Sequence, residues 1–202
     1  MYSDLELDVL KEIGNIGAGN AATALSALLS KKVDMQVPQV KMIPFDEVSE
    51  SVGGPESLVV GIFMRFDGAL EGNILMVLPK LDAFNLVNHL LNQDKKASDS
   101  FTEMEQSALV EVGNILSSSF ITALSDFTQM QLKVSVPGFA YDTAGAIFSF
   151  PLSLYGYMGD MAFLIETQFT EGLDKTKLHF FLIPDDESFK SLLKAIGVNV
   201  GE

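Results

Sequence analysis

The strongest constraint on this chain is that it repeats itself. The segment LKEIGNIGAGNAATALSALL, from Leu10, aligns without a gap on LVEVGNILSSSFITALSDFT, from Leu109, at a constant offset of 99 residues (109 − 10). Leu10 matches Leu109, Glu12 matches Glu111, Gly14 matches Gly113, Asn15 matches Asn114, and Ile16 matches Ile115. The register then holds through Ala24-Leu25-Ser26 and Ala123-Leu124-Ser125 to Val37-Pro38 and Val136-Pro137. With small insertions the likeness continues to LMVLPKLDAFNLVNHLL and FFLIPDDESFKSLLKAI, which set Pro79 opposite Pro184 and Phe84 opposite Phe189. A fixed-period repeat is one structural unit used twice. It predicts a single domain, 1–202, made of two repeats, 1–97 and 98–202, arranged about a pseudo-twofold. The polar segment Asn92–Ser100, which lacks periodicity, is the joint.

Local signals fill in each repeat as a long helix, several strands and a closing helix. Ser3 with Glu6, and Thr102 with Glu105, have capping-box spacing and open the two long helices at matching places. Apolar residues at Leu109, Val112, Leu116, Phe120 and Phe127 give the second helix a buried stripe. Lys31-Lys32 place positive charge at the end of the first helix, where its dipole favours it. Strands are expected at VDMQV, SLVVGIFMRF, ALEGNILMVL, LKVSV, AIFSFPL, DMAFLIE and LHFFLI, with Asp67-Gly68 turning between two of them. Consecutive strands without intervening helices indicate an α+β fold, with long helices packed on a largely antiparallel sheet.

Composition excludes several function classes. The chain has no cysteine, hence no disulfide, thiolate metal site or Cys nucleophile, and its two histidines, His89 and His179, suit a helix and a strand better than a metal cluster. A net charge of −14, from 13 basic and 27 acidic residues, opposes binding to nucleic acid or anionic lipid. SLVVGIF and NILMVL are shorter than a membrane span, and MYSDLELDVL is acidic where a secretory signal is basic, so a cytoplasmic protein is expected. Gly17-Ala18-Gly19-Asn20-Ala21-Ala22 fits the dinucleotide pattern G-x-G-x-x-G/A loosely. No strand precedes those glycines, the second repeat replaces them by Leu116-Ser117-Ser118, and Asp34 opens a strand where a ribose-binding acid should end one.

What both repeats retain is a Glu followed three residues later by an Asn. On a helix, Asp8, Glu12 and Asn15 share one face, and Ser107, Glu111 and Asn114 form the same row in the second repeat. Asn is a poor helix former, and the preceding Gly14 and Gly113 each cost about 1 kcal/mol relative to Ala. A merely solvated face had better choices, so the glycines are expected to clear room for a partner that approaches the helix closely. The row holds no nucleophile–base pair and no metal ligand set. A carboxamide, however, can accept from a water and donate to a phosphoryl oxygen, which suffices when the substrate supplies its own metal and its own labile bond.

The spacing Asp/Ser-x3-Glu-x2-Asn-x22-Pro, filled by Asp8, Glu12, Asn15 and Pro38 and again by Ser107, Glu111, Asn114 and Pro137, resembles the CheC/CheX/FliY family of chemotaxis phosphatases. Its members dephosphorylate the response regulator CheY. The resemblance covers essentially the whole chain, and two intact signatures in about two hundred residues are similar to the CheC type. It implies that Asn15 and Asn114 orient the attacking water, and that Glu12 and Glu111 pair with the regulator's active-site lysine. The protein would have no cofactor of its own, because the Mg2+ belongs to phosphorylated CheY. The resemblance also implies a second partner, CheD, and leaves open a protein that is chiefly a CheD-binding module responsive to phosphorylated CheY, with weak catalysis.

Overall fold

The computed structural model describes residues 4–155, 161–171 and 174–197. Helix α1 (Asp4–Leu29) leads into strand β1 (Asp34–Pro44), a 3-10 helix (Phe45–Val52), the hairpin β2 (Leu58–Gly68) and β3 (Gly72–Pro79), and helix α2 (Lys80–Leu91). The second half repeats that order. It runs through α3 (Glu103–Thr128), β4 (Leu132–Val134), β5 (Gly138–Thr143), α4 (Ala144–Tyr155), the hairpin β6 (Met161–Glu171) and β7 (Asp174–Pro184), and α5 (Asp186–Ala195).

Helix α3 opens on the expected capping box: the Glu105 N–H donates to Thr102 Oγ1 at 3.4 Å and the Thr102 N–H to Glu105 Oε2 at 2.8 Å. The Thr102 N–H foremost, with Lys95 Nζ at 3.3 Å also contributing, holds the Glu105 carboxyl below its usual range. Ser3, its counterpart in the first repeat, lies outside the described residues. Lys31-Lys32 fall beyond α1, whose last turn carries no basic residue. AIFSFPL is not a strand but part of α4, because Ala144, Ile147 and Phe148 are buried at helical spacing on the sheet. The strand of that region is instead β5, GFAYDT, whose exposure alternates along its length.

Among the described residues seven strands join one antiparallel sheet in the order β1-β6-β7-β3-β2-β4, with β5 also on β2. The first strand of each half pairs with the hairpin of the other half. β1 lies on β6, and β4 and β5 lie on β2, in the same register: Ile43 faces Ala162 in one copy, and its repeat mate Asp142 faces Val59 in the other. At the centre, Leu75 faces Phe181 and Met76 faces Phe180 across β3 and β7. Met76 also faces Ile62 and Phe180 faces Ile165, so the Met76–Phe180 pair lies on a twofold normal to the sheet, and that rotation makes α1 and α3, which pack together on one face, antiparallel.

Alternation sorts the strand residues into two cores. Val60, Ile62, Ile74, Met76, Phe180 and Leu182 face α1, α2, α3 and α5. Val59, Leu75, Val77, Leu164, Phe181 and Ile183 face the 3-10 helix and α4. With both faces covered, β3 is apolar but for Asn73, and β7 from Leu178 onward but for His179. Among the described residues one helix, α3, is long and apolar enough to cross a bilayer by length and composition, although no single run in the sequence suggested it. Half of its apolar window is buried within the protein, and its Leu109, Val112, Leu116 and Phe120 belong to the core.

The two glycines that resembled a phosphate loop are both inside α1. A Cβ on Gly17 would stand 2.9 Å from the Phe120 Cα, so Gly17 is where α1 and α3 cross, whereas a Cβ on Gly19 would meet nothing within 4 Å. Gly17→Ala is expected to destabilise by about 1–3 kcal/mol, because α3 backbone cannot yield as a side chain does. Gly19→Ala is expected to stabilise by up to about 1 kcal/mol through helix propensity. Urea unfolding of the two variants checks the opposite signs.

Candidate functional site

Each signature row lies along the flank of its long helix. Asp8, Glu12, Ser107 and Glu111 are exposed, and Asn15 and Asn114 are half-buried where the helix meets the sheet edge. Among the described residues neither the Glu12 nor the Glu111 carboxylate has a hydrogen bond or an ion pair. The carboxylates are therefore held out to solvent by the helices alone.

The structure corrects the expected role of Gly14 and Gly113. Both are buried and face the protein's own sheet. A Cβ on Gly14 would come within 3.2 Å of Val37 Cγ2 and 3.6 Å of Ile165 Cγ2, and one on Gly113 within 2.6 Å of Ile62 Cγ2. The close approach they permit is that of each helix to the sheet, to Val37 of β1 and Ile165 of β6 for α1 and to Ile62 of β2 for α3. Asn15 and Asn114 follow those glycines in sequence, so the same packing sets how deep each amide sits beside the sheet.

The prolines of the signature mark a break in the first strand. Along β1, Gln36 faces Gln168 and Gln39 faces Glu166, so Val37 and Pro38 together stand opposite Thr167 alone, which is a β-bulge. A proline is tolerated there because it has no N–H to give to the ladder. The preceding Val37 N–H, freed from β6, points to the helix and donates to Asn15 Oδ1 at 2.9 Å. The 22-residue spacing from Asn15 to Val37 thus closes a contact between helix and bulge.

In the second repeat the matching interruption separates β4 from β5, and Val136 and Pro137 fall in the gap. The turn is built differently. The Ser135 N–H donates to the Arg65 carbonyl at 2.8 Å, and Ser135 Oγ accepts from the Arg65 N–H at 3.0 Å. Val136 is 88% exposed where Val37 is 3%. Asn114 makes no hydrogen bond among the described residues. A groove of about 580 Å3 opens beside Asp8 between α1 and β1, walled by Lys11, Lys41 and Glu166, the last two joined at 3.4 Å.

Among the described residues no three His, Asp or Glu side chains are grouped as a metal would need. His179 sits in β7 across from Glu166, and burial pushes its pKa down. His89 is in the last turn of α2. Sequence reasoning missed the Val37 N–H, a backbone donor; the one signal for it was the Val-Pro pair that both repeats keep.

The CheC-like family model matches residues 5–42 and 104–141, the two segments that run from α1 through the Val37-Pro38 bulge and from α3 through its counterpart. Across 199 residues the chain is 38% identical to the CheY-P phosphatase CheC of Bacillus subtilis (strain 168), covering 96% of this chain and 95% of that one. The fold matches Thermotoga maritima FliY with a TM-score of 0.77 at 22% identity, over 97% of this chain and 98% of that one. It also matches a chain of the CheX-CheY-BeF3-Mg+2 complex from Borrelia burgdorferi, with a TM-score of 0.52 at 18% identity, over 84% and 96% of the two chains.

Because the Glu12 and Glu111 carboxylates have no partner among the described residues, Glu12→Ala and Glu111→Ala are each expected to leave unfolding free energy within about 0.5 kcal/mol of the parent. Thermal melting of the two variants and their combination checks this.

Proposed function

Since this chain belongs to the CheC-like family, we propose that it dephosphorylates CheY-P, using Asn15 and Glu12 at one site and Asn114 and Glu111 at the other. The observation that carries the residue assignment is the pattern made twice: a carboxylate without a partner and an amide at its next turn, on an exposed helical flank.

In this scheme the helix docks on the regulator's phosphorylated aspartate. The carboxylate of Glu12 or Glu111 meets the regulator's lysine, a charge-assisted contact that fixes the angle of approach. The amide of Asn15 or Asn114 then stands at the phosphoryl group and holds a water in line with the phosphorus. The water oxygen bonds to phosphorus as the bond to the aspartate oxygen breaks. The electron pair stays on the aspartate carboxylate, and both of the water's protons leave with inorganic phosphate. Mg2+ in the scheme belongs to the regulator. Positioning and electrostatics are the whole of the protein's contribution, and such a reaction asks for little else.

The sites also differ in charge. Asp8 adds a second carboxylate one turn before Glu12, whereas Ser107 sets a neutral hydroxyl before Glu111. The two sites are therefore expected to differ in affinity for CheY-P. We further propose CheD as a partner and the cytoplasm as the location, on family resemblance.

The Asn15→Ala, Asn114→Ala double variant is expected to lose about a hundredfold in phosphate release from CheY-P, the scale for removing an oriented amide from a transition state. Undiminished release would end the catalytic assignment. Glu12→Ala with Glu111→Ala should instead raise KM about tenfold, the scale of one charge-assisted hydrogen bond. Phosphate release with and without CheD tests that partner.

A further inference from the structure

The two signatures match in sequence but hold their asparagines differently. We propose, on the reading that Asn15 and Asn114 carry out the dephosphorylation, that the Val37 backbone N–H is a positioning group for Asn15. Its counterpart at Val136 serves no such role, so the first site is oriented for turnover in advance and the second is not.

The argument starts from the symmetry of a carboxamide. Its oxygen and nitrogen ends have nearly the same shape, and a turn of the terminal torsion exchanges them. A chemistry that needs a donor at a phosphoryl oxygen works with only one of the two orientations. A fixed N–H beside the side chain removes the degeneracy, because it bonds to oxygen and repels an NH2 group. At the first site that donor is the Val37 N–H, 2.9 Å from Asn15 Oδ1. Oδ1 is thereby turned to the bulge, and the Nδ2 hydrogens are left to face outward, toward the oxygen acceptors that an aspartyl phosphate and its water present. The oxygen keeps its second lone pair for that water.

The donor is itself held rigidly. The Val37 side chain is 3% exposed and lies where a Cβ on Gly14 would touch it. The following Pro38 confines Val37 to extended backbone and keeps the bulge out of the ladder. Pro137 follows Val136 in the same way, but the rest does not recur at the second site. Val136 stands 88% exposed, the turn is tied down by Ser135 and Arg65, and Asn114 has no hydrogen bond among the described residues. Asn114 must be oriented within the bound complex, which adds the ordering of one side chain to the barrier of each turnover.

The test separates the two sites by leaving one asparagine at a time. In the Asn114→Ala chain, replacing the Val37 amide by an ester removes that donor and no side chain. The expected result is a fall in kcat of about three- to tenfold, the scale for ordering one polar side chain, with KM for CheY-P unchanged. The same ester at Val136 in the Asn15→Ala chain should leave kcat as it was. A readout independent of activity is amide hydrogen exchange. Exchange of the Val37 amide should speed at least about tenfold on Asn15→Ala, the scale of losing one hydrogen bond, while that of Val136 is indifferent to Asn114→Ala. Equal losses of kcat at the two sites, a change in KM in place of kcat, or a Val37 amide indifferent to Asn15→Ala would each overturn the proposal. Full activity of the double asparagine variant would instead sink the catalytic reading, and the exchange result would still decide whether Val37 holds Asn15.

Discussion

Everything in this structure depends on one pairing: the first strand of each repeat lies on the hairpin of the other. β1 on β6 and β5 on β2 bring the outer strands home to the opposite half, and β3 on β7 joins the halves at the centre. The helices follow the strands. α1 rests through Gly14 on Ile165 of β6, and α3 rests through Gly113 on Ile62 of β2. Each signature is therefore assembled from a helix and a strand of its own repeat that are seated on the sheet contributed by the other.

The exchange also explains why a residue pattern so ordinary on paper is informative in space. Helix, strand break and sheet meet at a single place in each half, and Glu12 with Asn15, or Glu111 with Asn114, is what the helix presents there. The glycines before the asparagines control the depth of the helix in its seat, because nothing larger fits between α3 and Ile62. A residue chosen for packing thus sets the reach of a residue chosen for chemistry.

The repeat, the two long helices and most strands were legible because they rest on local pattern and on self-similarity. AIFSFPL misled for a physical reason: a short apolar run rich in aromatics has no period of its own, and the packing of Ile147 and Phe148 under the sheet decided for a helix. β5 was missed although Phe139 and Tyr141 alternate with smaller residues, because Pro137 before it and Gly138 at its start are residues that strands disfavour. At the site, side chains could be named from spacing, since Glu12 and Asn15 are three apart on one helix. The direction in which Gly14 and Gly113 face could not, because it depends on which side of α1 and α3 the sheet lies. Nor could the Val37 N–H, since every residue but proline has one and its destination is set by tertiary structure.

A half-chain standing alone would offer two unpaired strand edges and a helix with nothing beneath its glycine. A second identical half would cover both, since the contacts between the repeats are those of a self-complementary, twofold interface. This protein carries that dimer on one polypeptide. The joint between α2 and α3 turns an encounter between two molecules into a contact within one, which frees assembly from concentration. It does something further that identical subunits cannot do. A substitution in a symmetric pair appears at both sites at once, whereas here Val37 can be folded inward and Val136 left outside, Asp8 kept and Ser107 put in its place. Covalent linkage has made the two halves separately heritable.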